Sequence, residues 1–187
     1  MSTVVESLFY MLQKCAECSV FAVDQLSRFL DILFIHAFAC ESDVVRIQGM
    51  QTGEAFVESY GKENKQVLLE YLSARMMAME QDADTEEEMI RQDHMREGCV
   101  VLLGKVTCFL EDGDARIIDT TNILMSSLAI PAASVQEAIA RCLTPLFKYE
   151  ALRANAGIYV DKLLKQLTEG ETYAARRGAA RWGRRSH

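Results

Sequence analysis

The chain has 187 residues, half of them hydrophobic and a quarter charged, so it has enough apolar surface to bury a core and is not a disordered chain. Its net charge of −7 argues against a uniformly basic nucleic-acid binder. Two prolines and ten glycines are few for this length, which favours long helices joined by short turns.

The first apolar segments predict two helices, Val4–Lys14 and Val23–Ala39. The second lies in the most apolar window of the chain, which is about long enough to cross a bilayer. Asp24, Arg28 and Asp31 interrupt that window at helical spacing and share one face. We therefore predict an amphipathic core helix and no membrane span.

The next predicted pair of helices surrounds Gly61. Ser42 is the expected N-cap of the first helix, which runs to about Tyr60, and Gly61 is the expected left-handed residue that ends it. A second helix is predicted from Asn64 onward. The apolar positions expected to face inward are Val45, Ile47, Met50, Ala55 and Val57, followed by Val67, Leu68, Tyr71, Leu72 and Met76.

The polar and acidic segment 81–88 predicts a solvated loop that leads into a long helix, Met89–Leu110. Carboxylates at this point suit the positive end of the helix dipole. The segment lacks the fixed spacing and turn glycine of a calcium loop, so no metal is expected there. A shorter helix, Ala115–Leu128, is predicted to follow.

The segment Leu124–Leu146 predicts a helix hairpin with a tight turn. Pro131 cannot continue a helix, and Ser134 with Glu137 three residues later has the S-x-x-E pattern of a capping box. Apolar side chains then recur on one face at helical period: Val135, Ala138, Ile139, Cys142, Leu143 and Leu146. Pro145 is expected to kink or end this helix, and further helices are predicted at Ala156–Leu167 and Thr172–Ala180.

Together these elements predict an all-α protein without strands. Helix pairs near 4–39, 43–80, 86–128 and 134–168, with an incomplete repeat at 171–187, recur at a spacing of roughly 40 residues, which is within the range of HEAT and armadillo repeats. The predicted architecture is a single α-solenoid segment of antiparallel helix pairs, each burying its apolar face on its neighbour. A compact bundle is the structural alternative.

No motif in the sequence indicates catalysis. A P-loop, a G-x-S-x-G elbow, an H-E-x-x-H pair and a glycine-rich dinucleotide turn are all missing from it. Cys15 and Cys18 form one C-x-x-C, but no second pair completes a zinc site, so we expect the six cysteines to be buried reduced thiols in a reducing cytoplasm. We predict that the chain is not an enzyme and has no cofactor, no metal and no small-molecule substrate.

Four segments carry a resemblance to a known family. They are GKEN at 61–64, GCVVLLGK at 98–105, SVQEAIARCLTPL at 134–146 and YAARRGAA at 173–180. In this order and spacing, over about two-thirds of the chain, they resemble a HEAT-repeat segment of the general control nonderepressible translational activator, leading into its elongation factor three-like region. After Ala180 the family continues with an apolar helix, whereas this chain reads RWGRRSH, which indicates a truncated or misread end rather than a selected basic patch.

The resemblance implies a cytoplasmic scaffold that binds ribosomes and promotes activation of the initiation factor 2 alpha kinase during amino-acid starvation. The family's kinase-binding region is not represented in this chain. Expected partners are ribosomal RNA or ribosomal protein and other translation regulators, and the candidate contacts are Lys162, Lys165, Arg176 and Arg177. These charges are alternatively a solvated helix face. The repeat signature comprises Pro131, Ser134, Val135, Glu137 and Leu143, and the alternative function is a generic helical scaffold of the transport-receptor, phosphatase-scaffold or tubulin-binding type.

Overall fold

The computed structural model describes residues 2–79, 84–169 and 172–183, and all regular structure in these ranges is helical. The α-helices are α1 (Ser2–Glu17), α2 (Leu26–Ile32), α3 (Asp43–Ala78), α4 (Glu86–Thr107), α5 (Ala115–Ser127), α6 (Ala133–Leu146), α7 (Glu150–Ala154), α8 (Ala156–Glu169) and α9 (Tyr173–Gly183). The all-α prediction is confirmed, and the packed helices agree with a helical repeat. They form two compact units, Met1–Phe109 and Leu110–His187.

The predicted helix Val23–Ala39 is three elements in the structure. A 3-10 turn at Val23–Gln25 precedes α2, and a π-helical segment, Leu33–Phe38, follows it. The wider turn of the π-helix keeps four of its six residues buried, namely Leu33, Phe34, Ala37 and Phe38. Apolar periodicity identifies such a segment as helical, but it does not distinguish an i→i+4 ladder from an i→i+5 ladder.

An aromatic cluster forms the centre of the first unit. The rings of Phe29 on α2 and Phe56 on α3 are stacked, with 4.3 Å between their centroids. The Tyr60 hydroxyl oxygen accepts a hydrogen bond of 2.7 Å from the backbone N–H of Phe21, which ties the segment after α1 to α3. Buried aromatic pairs of this kind contribute about 0.5–1.5 kcal/mol beyond the area that they bury.

Helix α3 is continuous from Asp43 to Ala78 but kinks at Asn64, where φ is −113° and ψ is 21°. The Asn64 side-chain amide donates a 3.0 Å hydrogen bond to the carbonyl oxygen of Tyr60, one turn earlier. The predicted break is therefore a kink within one helix. The apolar stripe changes phase there, since buried positions run 45, 49, 52, 56 and 60 before the kink and 68, 72 and 76 after it.

Two residues predicted to face inward on α3 face outward instead. Ile47 is exposed because it lies on the side of α3 opposite the buried residues of the first half. Val67 is also exposed, and it lies where the buried stripe would have continued if the helix were not kinked. Gly61, predicted to end a helix, lies inside α3. A Cβ atom on Gly61 would lie 2.8 Å from the ring of Phe109, so this glycine allows the turn after α4 to approach α3 closely.

Of the acidic segment 81–88, the structure describes residues 84 and 85 as a bend and residues 86–88 as the first turn of α4. Residues 80–83 lie outside the described ranges, and α4 begins at Glu86, three residues before the predicted start. The Thr85 hydroxyl caps the helix by accepting a 3.2 Å hydrogen bond from the Glu88 backbone N–H. Glu86, Glu87 and Glu88 occupy the first turn, where carboxylates stabilise the helix dipole.

In the second unit, α6 contributes a large part of the core, together with buried residues of α5 such as Ile117 and Leu124. Val135, Ile139, Leu143 and Leu146 are completely buried on one face, as their spacing predicts. Pro145 lies one residue before the end of α6. The short helix α7 was not predicted, because five residues are too few for a periodic pattern to develop.

The predicted capping box at the start of α6 is wrong. The residue that precedes the helix is Ala132, with φ −62° and ψ 121°, and the helix already includes Ala133. Ser134 therefore lies within the first turn rather than at the N-cap position. The S-x-x-E pattern identified the helix start to within two residues, although the methyl group of the actual N-cap residue cannot accept a hydrogen bond.

All six cysteines are free thiols, but their burial differs from the prediction. Cys99 is completely buried, Cys18 is exposed and the other four are half-buried. Burial raises the pKa of the Cys99 thiol to about 12. The reactive thiolate of Cys99 is therefore scarce in the folded chain at neutral pH.

We expect iodoacetamide at pH 8 to alkylate Cys18 within the folded protein and to leave Cys99 unmodified until the chain is unfolded in urea. Peptide mass spectrometry before and after denaturation measures both sites in one sample. Alkylation of Cys99 at a rate similar to that of Cys18 without denaturant would contradict the buried position of Cys99.

Candidate functional site

The four predicted contact residues lie on the last two helices of the second unit. Lys162 and Lys165 are exposed on α8, one turn apart, and Arg176 is exposed on α9. Within the described residues, neither lysine makes an ion pair. Arg177 is half-buried, so the structure separates it from the other three.

Apolar contacts hold α8 and α9 in place. Tyr159 and Leu163 are the buried residues of α8, and Ala179 is buried on α9, which packs against both α8 and α6. The ring of Tyr159 meets that of Phe147 edge to face, with 5.7 Å between centroids, and burial raises the pKa of the Tyr159 hydroxyl. The Thr172 hydroxyl caps α9 by accepting a 3.2 Å hydrogen bond from the backbone N–H of Ala175.

Arg177 is committed to contacts within the second unit. Its guanidinium donates one hydrogen bond to the carbonyl oxygen of Pro131 and another, from Nε at 3.1 Å, to the side-chain oxygen of Gln136. It also lies over the ring of Tyr173, 5.8 Å from the centroid. Arg177 therefore joins α9 to the turn before α6, and a substitution there would change the fold as well as the surface charge.

Gln136 is the polar centre of this junction, and the sequence did not identify it. Its side chain is completely buried, and its amide nitrogen lies 2.8 Å, 2.9 Å and 3.1 Å from the carbonyl oxygens of Ile130, Ala174 and Leu128. One side chain thus connects the end of α5, the following turn and α9. Its position three residues before the buried Ile139 was the available signal, since that spacing places Gln136 on the inner face of α6.

The five residues of the predicted repeat signature differ in how deeply they are buried. Val135 and Leu143 are completely buried, Glu137 is half-buried and Ser134 is exposed. The Pro131 carbonyl accepts the hydrogen bond from Arg177. The role of this set as a recurring signature stays a prediction.

Charge is distributed unevenly between the two units. The sequence of the first unit holds 18 acidic and 9 basic residues, and that of the second holds 9 acidic and 11 basic residues. The lysines of α8 therefore belong to the less acidic part of the chain. Part of the basic content, Arg181, Arg184 and Arg185, lies where no side chain is described.

Neither a metal-binding cluster nor a helix able to cross a bilayer occurs in the described part of the chain. In residues 2–79, 84–169 and 172–183, no cluster of three or more His, Cys, Asp or Glu side chains has the arrangement of a metal site. None of the helices in those ranges combines the length and the apolar character needed to cross a bilayer.

Comparison with known proteins agrees with the family resemblance. The chain is 32% identical over 126 residues to the human protein "Stalled ribosome sensor GCN1" and 24% identical over 141 residues to the yeast "eIF-2-alpha kinase activator GCN1". These alignments cover 67% and 75% of this chain. The chain is related to a segment of the GCN1 proteins. It is also 30% identical over 169 residues, 90% of its length, to the Arabidopsis thaliana "Protein ILITYHIA".

The similarity concerns a small part of each relative. The chain spans 4% of the human protein, 5% of the yeast protein and 6% of the Arabidopsis protein. No protein-family model matches the chain, and no solved structure matches it. The relationship thus concerns one helical segment of each relative, while the activities of the long relatives belong to those whole proteins.

Proposed function

We propose that the chain is a non-catalytic helical scaffold in translation regulation and that it binds the ribosome through the exposed cationic side chains of α8 and α9. Lys162, Lys165 and Arg176 are the proposed contacts. They attract phosphate of ribosomal RNA or acidic side chains of ribosomal protein, in the cytoplasm. Activation of the initiation factor 2 alpha kinase is proposed only for a larger protein of which such a segment would form a part.

One observation carries this proposal, namely that two lysines of α8 are exposed to solvent in a chain related to a human protein named a stalled ribosome sensor. Lys162 and Lys165 are exposed and have no ion-pair partner in the described residues, so their charges are available to a partner. The relatives are named as a sensor and as a kinase activator, which supports a regulatory rather than an enzymatic role. Arg177 is not one of the proposed contacts, because its guanidinium donates hydrogen bonds to Pro131 and Gln136 within the second unit.

The double substitution Lys162→Gln with Lys165→Gln is expected to weaken co-sedimentation with purified ribosomes. Each phosphate-contacting lysine that is removed should also reduce the slope of log affinity against log salt by about 1. Lys62→Gln with Lys65→Gln on α3 is the matched control, since it removes the same charge at the same spacing from the other unit. The control should sediment like the unsubstituted chain.

Equal binding by both double variants and the unsubstituted chain would contradict the assignment to α8. Loss of binding in both would indicate a response to net charge alone. If ribosomes do not bind at any salt concentration, a generic helical scaffold becomes the better reading, and affinity purification from cytosol would then be expected to recover partners other than ribosomal proteins.

A further inference from the structure

The first unit contains a pair of cysteines that the proposed function does not use. Cys15 lies in the last turn of α1, and Cys18 directly follows the helix, which ends at Glu17. Both are free thiols, and Cys18 is exposed whereas Cys15 is half-buried. A small solute can therefore reach the thiol of Cys18 from solvent while the chain stays folded.

The spacing of the two cysteines suits a disulfide. Residues three apart lie on the same side of a helix, one above the other. Their Cα atoms are about 5 Å apart, within the range of about 4.4–6.8 Å that a disulfide spans. Their Cβ atoms are about 5–6 Å apart in a regular helix and must approach to about 3.5–4.5 Å. Bond formation thus needs a local movement of about 1–2 Å, which the interior of a helix would resist.

The end of α1 is a Schellman turn with serine at the position where glycine is usual. Ser19 has a φ of 53°, and the described residues include no other non-glycine residue with a positive φ. Its N–H donates to the carbonyl oxygen of Ala16 at 2.9 Å, and the N–H of Val20 donates to that of Cys15 at 3.4 Å. Cys18 is the C-cap residue of this motif, so its backbone is only half in the helix. A left-handed serine and a long hydrogen bond make this turn easier to move than the helix before it.

We propose that Cys15 and Cys18 form a reversible oxidation site, at which hydrogen peroxide converts the two thiols into a disulfide across the last turn of α1. The Cys18 thiolate attacks one peroxide oxygen, so that an S–O bond forms and the O–O bond breaks. The second oxygen leaves as hydroxide and takes up the proton that the Cys18 thiol had released.

The second step closes the disulfide. The sulfur of Cys15 attacks the sulfur of the Cys18 sulfenic acid, so that the S–S bond forms and the S–O bond breaks. The departing hydroxide becomes water with the proton of the Cys15 thiol. Two thiols and one peroxide give one disulfide and two waters, and two electrons pass from the sulfurs to the peroxide.

The exposure of the two thiols sets the order of these steps. Susceptibility to oxidation follows exposure, so Cys18 meets the peroxide first and Cys15 is the resolving thiol. A resolving thiol one turn away competes with a second peroxide, which would carry Cys18 on to the irreversible sulfinic acid. A dithiol reductant reopens the disulfide by exchange, so the bond is transient in a reducing compartment.

Peroxide treatment of the reduced full chain at pH 8 tests the proposal. Trypsin cleaves after Lys14 and Arg28, so the peptide 15–28 carries Cys15 and Cys18 and no other cysteine. After treatment this peptide should lose the mass of two hydrogen atoms and should no longer be alkylated by iodoacetamide. The thiols that react in urea should fall by two, from six to four, and dithiothreitol should restore all six.

Single substitutions separate the two roles. In Cys15→Ser, Cys18 should stop at the sulfenic acid, which dimedone traps as an adduct on that peptide. In Cys18→Ser, neither the disulfide nor the adduct should form at the same peroxide dose. Cys40→Ser is the matched control, since it removes another half-buried thiol of the first unit and should leave the disulfide unchanged.

Any of three results would overturn the proposal. They are a treated chain that keeps all six thiols, a Cys18 that is oxidised to sulfinic acid while Cys15 remains a free thiol, and a Cys18 that pairs instead with another cysteine or with a second chain on a non-reducing gel. Circular dichroism of each variant checks that the helices are intact, so that a loss of the disulfide is not mistaken for a loss of fold.

Discussion

Replacing Gly178 with alanine is expected to lower the free energy of unfolding of the second unit by about 1–3 kcal/mol, the usual range for overpacking a tight contact. A Cβ atom at this position would lie 2.1 Å from the carbonyl oxygen of Leu128, a backbone atom at the end of α5. A backbone atom cannot rotate away as a flexible side chain does. Either α9 moves outward, or the hydrogen bond from Gln136 to Leu128 is lost.

The matched control is Gly157→Ala on α8. A Cβ atom there meets no atom within 4 Å, and alanine stabilises an exposed helix position relative to glycine by up to about 1 kcal/mol. Urea unfolding followed by circular dichroism measures both variants, and amide hydrogen exchange of α6 and α9 locates the effect. If Gly178→Ala is as stable as Gly157→Ala, the close approach of α9 to α5 is incorrect.

Replacing Gln136 with leucine is expected to cost about 2–4 kcal/mol, because a buried polar group that loses its partner typically costs about 1–3 kcal/mol and several lose theirs at once. Leucine has a similar volume but no donor, so the carbonyl oxygens of Leu128, Ile130 and Ala174 lose the amide that lies between them. Nε of Arg177 loses its acceptor as well. Hydrogen exchange should then become faster in α9, whose anchor is removed.

Gln66→Leu on α3 serves as the control for this substitution. Gln66 is exposed, and among the described residues its amide donates a hydrogen bond only to the Glu70 side chain, at 3.0 Å, so its replacement should change stability by less than about 0.5 kcal/mol. A Gln136→Leu chain with unchanged stability and unchanged exchange in α9 would show that the buried amide does not hold the junction.

The helices of this protein could be predicted from its sequence because their apolar positions repeat at helical period over more than two turns. The inner face of α6 shows this most clearly, since Val135, Ile139 and Leu143 were assigned and are completely buried. The family resemblance was likewise carried by local segments. Both kinds of signal reside in neighbouring residues.

What could not be predicted depends on contacts between residues far apart in the chain. Arg177 was assigned to the surface because runs of charged residues usually lie on exposed faces, whereas its partners Gln136 and Pro131 lie 41 and 46 residues away in the sequence. Gln136 itself is polar, and nothing in the neighbouring sequence indicates that its side chain lies beside three backbone carbonyl oxygens. The π-helical segment after α2 was missed for a related reason, because a fixed period of 3.6 residues does not describe it. The interruption near Asn64 was predicted, although as a break between two helices rather than as a kink within one.

The kink at Asn64 has a consequence for how α3 can change in evolution. In an uninterrupted helix, the gain or loss of one residue rotates every later side chain by about 100° and would turn the apolar stripe out of the core. At Asn64 the two halves of α3 already differ in phase, and the side-chain amide supplies a donor to the Tyr60 carbonyl. Insertions and deletions among homologous helices should therefore be found mainly near this residue, where a change of register costs the least stability.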